Sequence, residues 1–264
     1  MPYFRLVHFF GPDGAGKSTQ VELLVRRLRN EGINAEKCWI RSPHTLAFVL
    51  SMLLLKIGFY RVSITSVGKI KGTQHSIERS FQRATTSWDV NVNPWRSLLV
   101  KENGTVIIYE RIPAINKSLM LRSFWGLLEF GSVLPVLIYR VYLRFLFGKV
   151  LIAERYVLDT IVTIAYFMDD IKFLSSRIAT ALLKLIPKES VLIFLDSSYD
   201  TILKRRGCHA EVKSFINFQR RAYRILAKRM GALVIDTSRF SIDETADIII
   251  EHIRLHTRSC STKS

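Results

Sequence analysis

Gly11-Pro12-Asp13-Gly14-Ala15-Gly16-Lys17-Ser18 sets glycines, a lysine and a hydroxyl at the spacing G-x-x-x-x-G-K-S. Each residue type meets a requirement of phosphate binding. Glycines allow turns that bring successive backbone N–H groups onto one concave surface, and a following helix N-terminus adds partial positive charge. Lys17 supplies a full charge for the β- and γ-phosphates of a nucleotide, and Ser18 a hydroxyl for Mg²⁺. A glycine-rich turn without a ligand would have no use for Gly16, Lys17 and Ser18 together. Further along, Glu110-Arg111 and Glu154-Arg155 both end the pattern G-x-V-x-I-x-E-R.

Such a loop needs a strand to deliver it and a helix to follow it. Phe4 to Phe10 is an almost wholly apolar run, as a parallel strand covered on both faces requires. From Ser18 the pattern becomes helical, with Val21, Leu24, Val25 and Leu28 on one face and Gly32 placed to end it. Further strands are predicted at Ala35 to Ile40, Val150 to Ala153, Val191 to Leu195 and Ala232 to Ile235, with helical patterns between them. Strands alternating with helices predict a parallel sheet with right-handed crossovers. The expected fold is therefore α/β, a three-layer α/β/α P-loop NTPase fold on a five-stranded parallel sheet. Residues 1–255 form one domain. Residues 42–148 exceed a single crossover and read as a helical insertion on the acceptor side. Residues 256–264 are polar and small, and read as a flexible tail.

The wider segment Gly11 to Gln20, GPDGAGKSTQ, resembles the thymidylate kinase family. Trp39-Ile40-Arg41-Ser42-Pro43 is similar to that family's Arg-Glu-Pro segment with Ser42 in place of the acid, and Glu154-Arg155-Tyr156 to its Asp-Arg-Tyr motif. Lys204-Arg205-Arg206 falls where the family carries an arginine-containing lid, here about residues 203–215. Phe218 to Tyr223 and Leu233 to Asp236 look like its last helix and strand. The resemblance covers residues 1–41 and 148–250.

It implies an ATP-dependent kinase that phosphorylates a nucleoside monophosphate, dTMP most directly, with Mg²⁺ as cofactor. Gly11 to Thr19 (Gly11, Pro12, Asp13, Gly14, Ala15, Gly16, Lys17, Ser18, Thr19) would hold ATP. Asp13, Arg41, Arg155 and Tyr156 would hold the acceptor, with Asp13 near its sugar hydroxyl; an acid in this turn could also satisfy local N–H groups. Ser18 and Glu154 would serve the metal. Lys17, Glu154, Arg155, Arg205 and Arg206 would be catalytic. Gly14 stands where some members carry a basic residue, so a cation over the transferring phosphoryl would come from Arg205 or Arg206. Asp196 reads as a group behind Mg²⁺ or a helix cap. Glu154-Arg155 is preferred over Glu110-Arg111 because Tyr156 completes the motif and Leu158 to Met168 continues as a helix, whereas Ile112-Pro113 interrupts one. A glutamate in the pair also suits a deoxynucleoside kinase, and the unmatched middle leaves a non-catalytic nucleotide-dependent binding protein as a third reading.

Composition sets outer limits. Hydrophobic residues form 48% of the 264 residues and charged residues 23%, enough to bury a core and far from the disordered regime. The net charge of +17 favours anionic partners. Its most uneven stretch, Lys37 to Ile77, has six Lys and Arg and no acid. Charge does not choose among nucleotides, nucleic acid and acidic lipid; the partners expected are ATP and a nucleoside monophosphate, with no nucleic acid. Thr45 to Leu55 and Phe130 to Tyr139 are apolar but short of the ~20 residues of a spanning helix, so membrane contact is not expected either. Cys38, Cys208 and Cys260 are too few and too spread for a disulfide framework or zinc site. With no signal-peptide pattern at the N-terminus, a cytoplasmic location is expected. The family is commonly dimeric, so a homodimer is a further expectation.

Overall fold

The computed structural model describes residues 4–39, 64–65, 106–107, 119–207, 211 and 213–261. Its centre is a five-stranded sheet built from β1 (Leu6–Phe10), β2 (Ala35–Trp39), β5 (Val150–Arg155), β6 (Ser190–Asp196) and β7 (Leu233–Asp236). The spatial order is β2-β5-β1-β6-β7, and every pairing is parallel. β1 is thus the middle strand, with the chain crossing first to one side and then to the other. In open parallel sheets that reversal opens a crevice beyond the strands' carboxyl ends, where ligands bind.

Side chains of β1 alternate between two layers, as a period of two demands. Val7 and Phe9 join Val21, Leu24, Ile152, Ile193, Ile249 and Ile253 on one face, under α1 (Lys17–Asn30) and α8 (Ile242–Ser261). Leu6 and Phe10 join Leu151, Phe194, Ile161, Ile164, Tyr223 and Leu226 on the other. That face is covered by α2 (Leu119–Leu137), α4 (Val157–Phe167), α5 (Arg177–Leu183) and α7 (Lys213–Met230). A short α3 (Leu143–Leu146) follows α2 through a π-helical turn, Ile138–Tyr142, and α6 (Tyr199–Arg206) follows β6. The architecture is the expected three-layer α/β/α fold. Fully buried Leu6, Phe9 and Ile152 each contribute on the order of 2–3 kcal/mol of burial, so the sheet is a rigid base for what its edge carries.

Three expectations change. The stretch 42–148 is not helical throughout: β3 (Ile64–Thr65) and β4 (Val106–Ile107) pair antiparallel in a separate two-stranded sheet. α8 continues to Ser261, past His256, where the polar composition suggested a tail. The apolar stretch around Phe130 is longer than its sequence limits implied. Gly126–Phe145 has mean hydropathy 1.4 and the length to cross a membrane, and only 31% of that stretch is buried. Arg140 and Arg144 interrupt it in sequence but turn back to the domain, donating to the Trp39 and Lys37 carbonyls.

Candidate active site

The loop leaves β1 at its carboxyl end. Gly11, Gly14 and Gly16 take φ of 142°, 91° and 90°, where an L side chain is strained. Space is also short: a Cβ on Gly11 would run into the Leu195 carbonyl, and one on Gly14 would lie 3.0 Å from both Ile202 Cγ2 and Arg206 Cδ. The room over Gly14, where the resembling family can carry a basic side chain, is filled by the stem of Arg206. Ala15 is buried, and Gly16 is the left-handed residue from which α1 begins. Lys17 folds back over the loop, donating from Nζ to the carbonyls of Gly11 (2.7 Å) and Pro12 (2.8 Å), and lies 3.7 Å from Asp13 Oδ1. Ser18 and Thr19 are exposed in the first turn of α1.

Glu154 and Arg155 sit at the carboxyl end of β5, the strand beside β1. Ser18 Oγ donates to Glu154 Oε1 at 2.5 Å, and Lys37 Nζ of β2 lies 3.1 Å from Oε2. The Arg155 guanidinium is paired with Asp13 on one side and lies 3.5 Å from Asp159 Oδ1 on the other. Arg206 Nη1 lies 3.7 Å from Asp13 Oδ2, so the Asp13 carboxylate is surrounded by Lys17, Arg155 and Arg206. Asp13, Lys17 and Arg155 are all buried, where water screens their charges little.

Several residues have duties that their types did not announce. Arg205 Nη1 donates to Thr237 Oγ1 (3.0 Å) and Gly14 O (3.3 Å), and its Nη2 to Thr237 O (2.6 Å), bracing the loop against the segment after β7. Asp196 accepts from Arg220 (2.7 and 3.2 Å) and Arg224 (3.1 and 2.6 Å) of α7, and from its neighbour Ser197 N. It anchors α7 to β6 rather than facing the loop. Tyr156 is fully buried with its hydroxyl on the Leu185 carbonyl at 3.1 Å; burial pushes its phenol far above the usual range. Its ring points into the core layer under α4, not toward the crevice expected to hold an acceptor. Arg41, Glu110 and Arg111 lie outside the described residues. The strand leading toward Glu110, β4, pairs with β3 and is not part of the central sheet.

A polar cluster not singled out by the motifs lies just beneath. Asp159, in the first turn of α4, accepts from Tyr223 OH (2.8 Å, Oδ1) and from Tyr156 N (3.3 Å, Oδ2), and His8 Nε2 is 3.2 Å from Oδ2. Burial alone would push this carboxyl up. The His8 hydrogen bond, with the charges of Arg155, His8 and Lys17, outweighs burial and holds it below the usual carboxylate range. One sequence signal was available: His8 is the sole polar residue in the strand Leu6–Phe10.

Around the loop, Lys17, Lys37, Arg155, Arg205 and Arg206 therefore converge with Asp13, Glu154 and Asp159. No protein-family model matches the chain, and no curated protein matches it. Among solved structures it is similar to the YorR protein of Bacillus subtilis, described in complex with phosphorylated GDP. The likeness is 17% sequence identity over 96% of this chain and 98% of that one, with a TM-score of 0.44.

Proposed function

We propose that the chain is a kinase that moves the γ-phosphoryl of ATP to a nucleoside monophosphate, with dTMP the acceptor favoured by the family resemblance. The supporting observation is the meeting of Ser18 and Glu154, a loop hydroxyl and a strand-end carboxylate 2.5 Å apart at the mouth of the phosphate loop. Oxygen donors of this kind fit Mg²⁺, which takes one or two protein groups and completes its shell with phosphate and water. When bound, Mg²⁺ would draw negative charge from the β- and γ-phosphates.

The remaining work falls to the chain. Backbone N–H groups of Gly14 to Ser18 hold the β-phosphate, and Lys17 turns from the loop carbonyls to the β- and γ-oxygens. Arg155 holds the acceptor phosphate, placing its oxygen in line with the γ-phosphorus. That oxygen forms the new P–O bond as the bond to the ADP oxygen breaks. Charge spreads over the transferring oxygens as this happens, and Arg206, whose stem lies over Gly14 and whose guanidinium faces Asp13, is the lid cation assigned to receive it.

The test is coupled ADP release with Mg-ATP across a panel of nucleoside monophosphates and nucleosides. Release with a monophosphate, lost on chelation of Mg²⁺, is the expected result. Release with nucleosides alone would make the chain a deoxynucleoside kinase, a reading that Glu154 also suits. ATP binding without release on any member would end the kinase reading.

A further inference from the structure

We infer that Asp159, seated on His8 and Tyr223, is a positioning residue that aims Arg155. What Arg155 grips rests on the kinase reading above; how it is held does not. Burying a carboxylate costs several kcal/mol unless donors surround it, and Asp159 is 1% exposed. Its donors come from four places: the side chain of His8 in β1, the Tyr156 N–H, the Arg155 guanidinium at the end of β5, and the Tyr223 hydroxyl in α7.

Helix capping does not explain this set. An acid three residues into a helix needs only the N–H of the capping residue, which Tyr156 supplies. His8 breaks an otherwise apolar strand to reach Asp159, and its Nδ1 is buried with no hydrogen-bond partner. Tyr223 reaches the same carboxylate from 64 residues away. The common effect of His8 and Tyr223 is to fix the carboxylate from the β1 and α7 sides. Asp159 then presents Oδ1 to Arg155 Nη1 as a fixed point of the scaffold, while Asp13, the guanidinium's other partner, belongs to the loop. When an anionic group replaces Asp13 at the guanidinium, Asp159 keeps its hold, so Arg155 turns toward the crevice without losing its place.

Asp159→Asn tests this. It keeps the volume and an acceptor for Tyr156 N–H but removes the charge. Three readings are taken on the full chain: kcat and KM for the acceptor, affinity for ATP, and labelling of Arg155 by phenylglyoxal followed by peptide mass spectrometry. The expected result is a loss of about 10- to 10²-fold in acceptor kcat/KM with ATP affinity within about twofold, as misplacing one reactive group by an ångström can produce. Arg155 labelling should rise in the same variant. Tyr223→Phe should move both readings the same way by less, and Asp159→Glu should recover part of each. A melting temperature and ATP affinity that fall in step with acceptor use would make Asp159 merely structural and overturn the inference. So would unchanged labelling of Arg155, with or without turnover. If labelling rises but Arg155→Ala leaves acceptor kinetics untouched, the positioning stands and the acceptor reading of Arg155 falls.

Discussion

Replacing Arg205 and Arg206 one at a time should separate stability from turnover, although the two are neighbours at the end of one helix. Arg205 makes three described hydrogen bonds, two of them to the Thr237 carbonyl and hydroxyl at 2.6 and 3.0 Å and a longer one to Gly14 O. Its side chain is exposed, so water can replace part of what is lost, and the value for ordinary rather than charged hydrogen bonds applies. Two well-formed bonds at about 0.5–1.5 kcal/mol each predict that Arg205→Ala loses about 1–3 kcal/mol. For a chain of this size that is a fall of roughly 3–10 °C in melting temperature. Arg206 makes one described ion pair, to Asp13 at 3.7 Å, and is 22% exposed. That contact is long, and Asp13 keeps Lys17 and Arg155 when it is lost, so Arg206→Ala should melt close to the parent. Its kcat should nevertheless fall by about 10²-fold, the usual loss of a donor to transition-state charge, and Arg206→Lys should recover only part. The assay is a thermal melt of each variant beside steady-state ADP release at saturating nucleotide. A large kcat loss at unchanged melting temperature in Arg205→Ala, with neither effect in Arg206→Ala, would refute the assignment.

Lys17→Ala should reduce transfer by at least ~10²-fold, and also cost about 1–2 kcal/mol because the Gly11 and Pro12 carbonyls lose their buried donor; turnover at the parent rate would remove the phosphate-loop assignment. Asp196→Ala should cost about 2 kcal/mol, mostly from the partly buried Arg220 because the more exposed Arg224 rehydrates, while ATP affinity stays near the parent value. A melt identical to the parent with Mg²⁺ dependence altered would return Asp196 to the metal. Asp159 titrates below the usual carboxylate range when folded and within it when unfolded, so folding favours its ionised form. That stability is present at neutral pH and is lost as pH falls through the depressed native range. Asp159→Asn should therefore flatten the acid limb of melting temperature against pH, and an unchanged limb would contradict it.

Most of the sheet was legible because β1, β5 and β6 carry short, largely apolar runs ended by glycine or polar residues, whereas β2, Ala-Glu-Lys-Cys-Trp, is the mixed, half-buried strand of a sheet edge. The predicted run Val191 to Leu195 is β6 (Ser190–Asp196), and Ala35 to Ile40 is β2 (Ala35–Trp39) within one residue at each end. α1 was legible for the same kind of reason, since Val21, Leu24, Val25 and Leu28 recur at helical spacing and are buried together. What local pattern could not supply was partnership across the chain. His8 and Asp159 are 151 residues apart, and only the parallel packing of β1 beside β5 brings them into contact. Arg205 and Arg206 looked equivalent as a basic helix end. Consecutive residues on a helix point about 100° apart, which sends one to Thr237 and the other to Asp13. Tyr156 was read as facing the acceptor from its place after Glu-Arg. At the strand-to-helix turn its ring instead fills the layer under α4, where its hydroxyl finds the Leu185 carbonyl.

Asp13 is an acid in a loop whose chemistry calls for cations, and the charges around it give the reason. Lys17, Arg155 and Arg206 approach it from α1, β5 and α6, each within 3.7 Å of one of its oxygens. Two like charges about 4 Å apart repel by about 4 kcal/mol in a partly buried setting, so three could not gather there unaided. One carboxylate among them turns that repulsion into attraction and fixes their spacing. A phosphate group has the same sign and more acceptor oxygens, so it can take over the carboxylate's partners in turn. In the kinase proposed here, the guanidiniums that meet Asp13 are already spaced for phosphate. Asp159 keeps one of them from collapsing onto the loop, by holding Arg155 at Nη1, while Arg205 is held apart from the carboxylate on Thr237 and Gly14 O. The acid in the loop thus serves the cations first, and any contact it makes with an acceptor sugar comes after phosphate has displaced them.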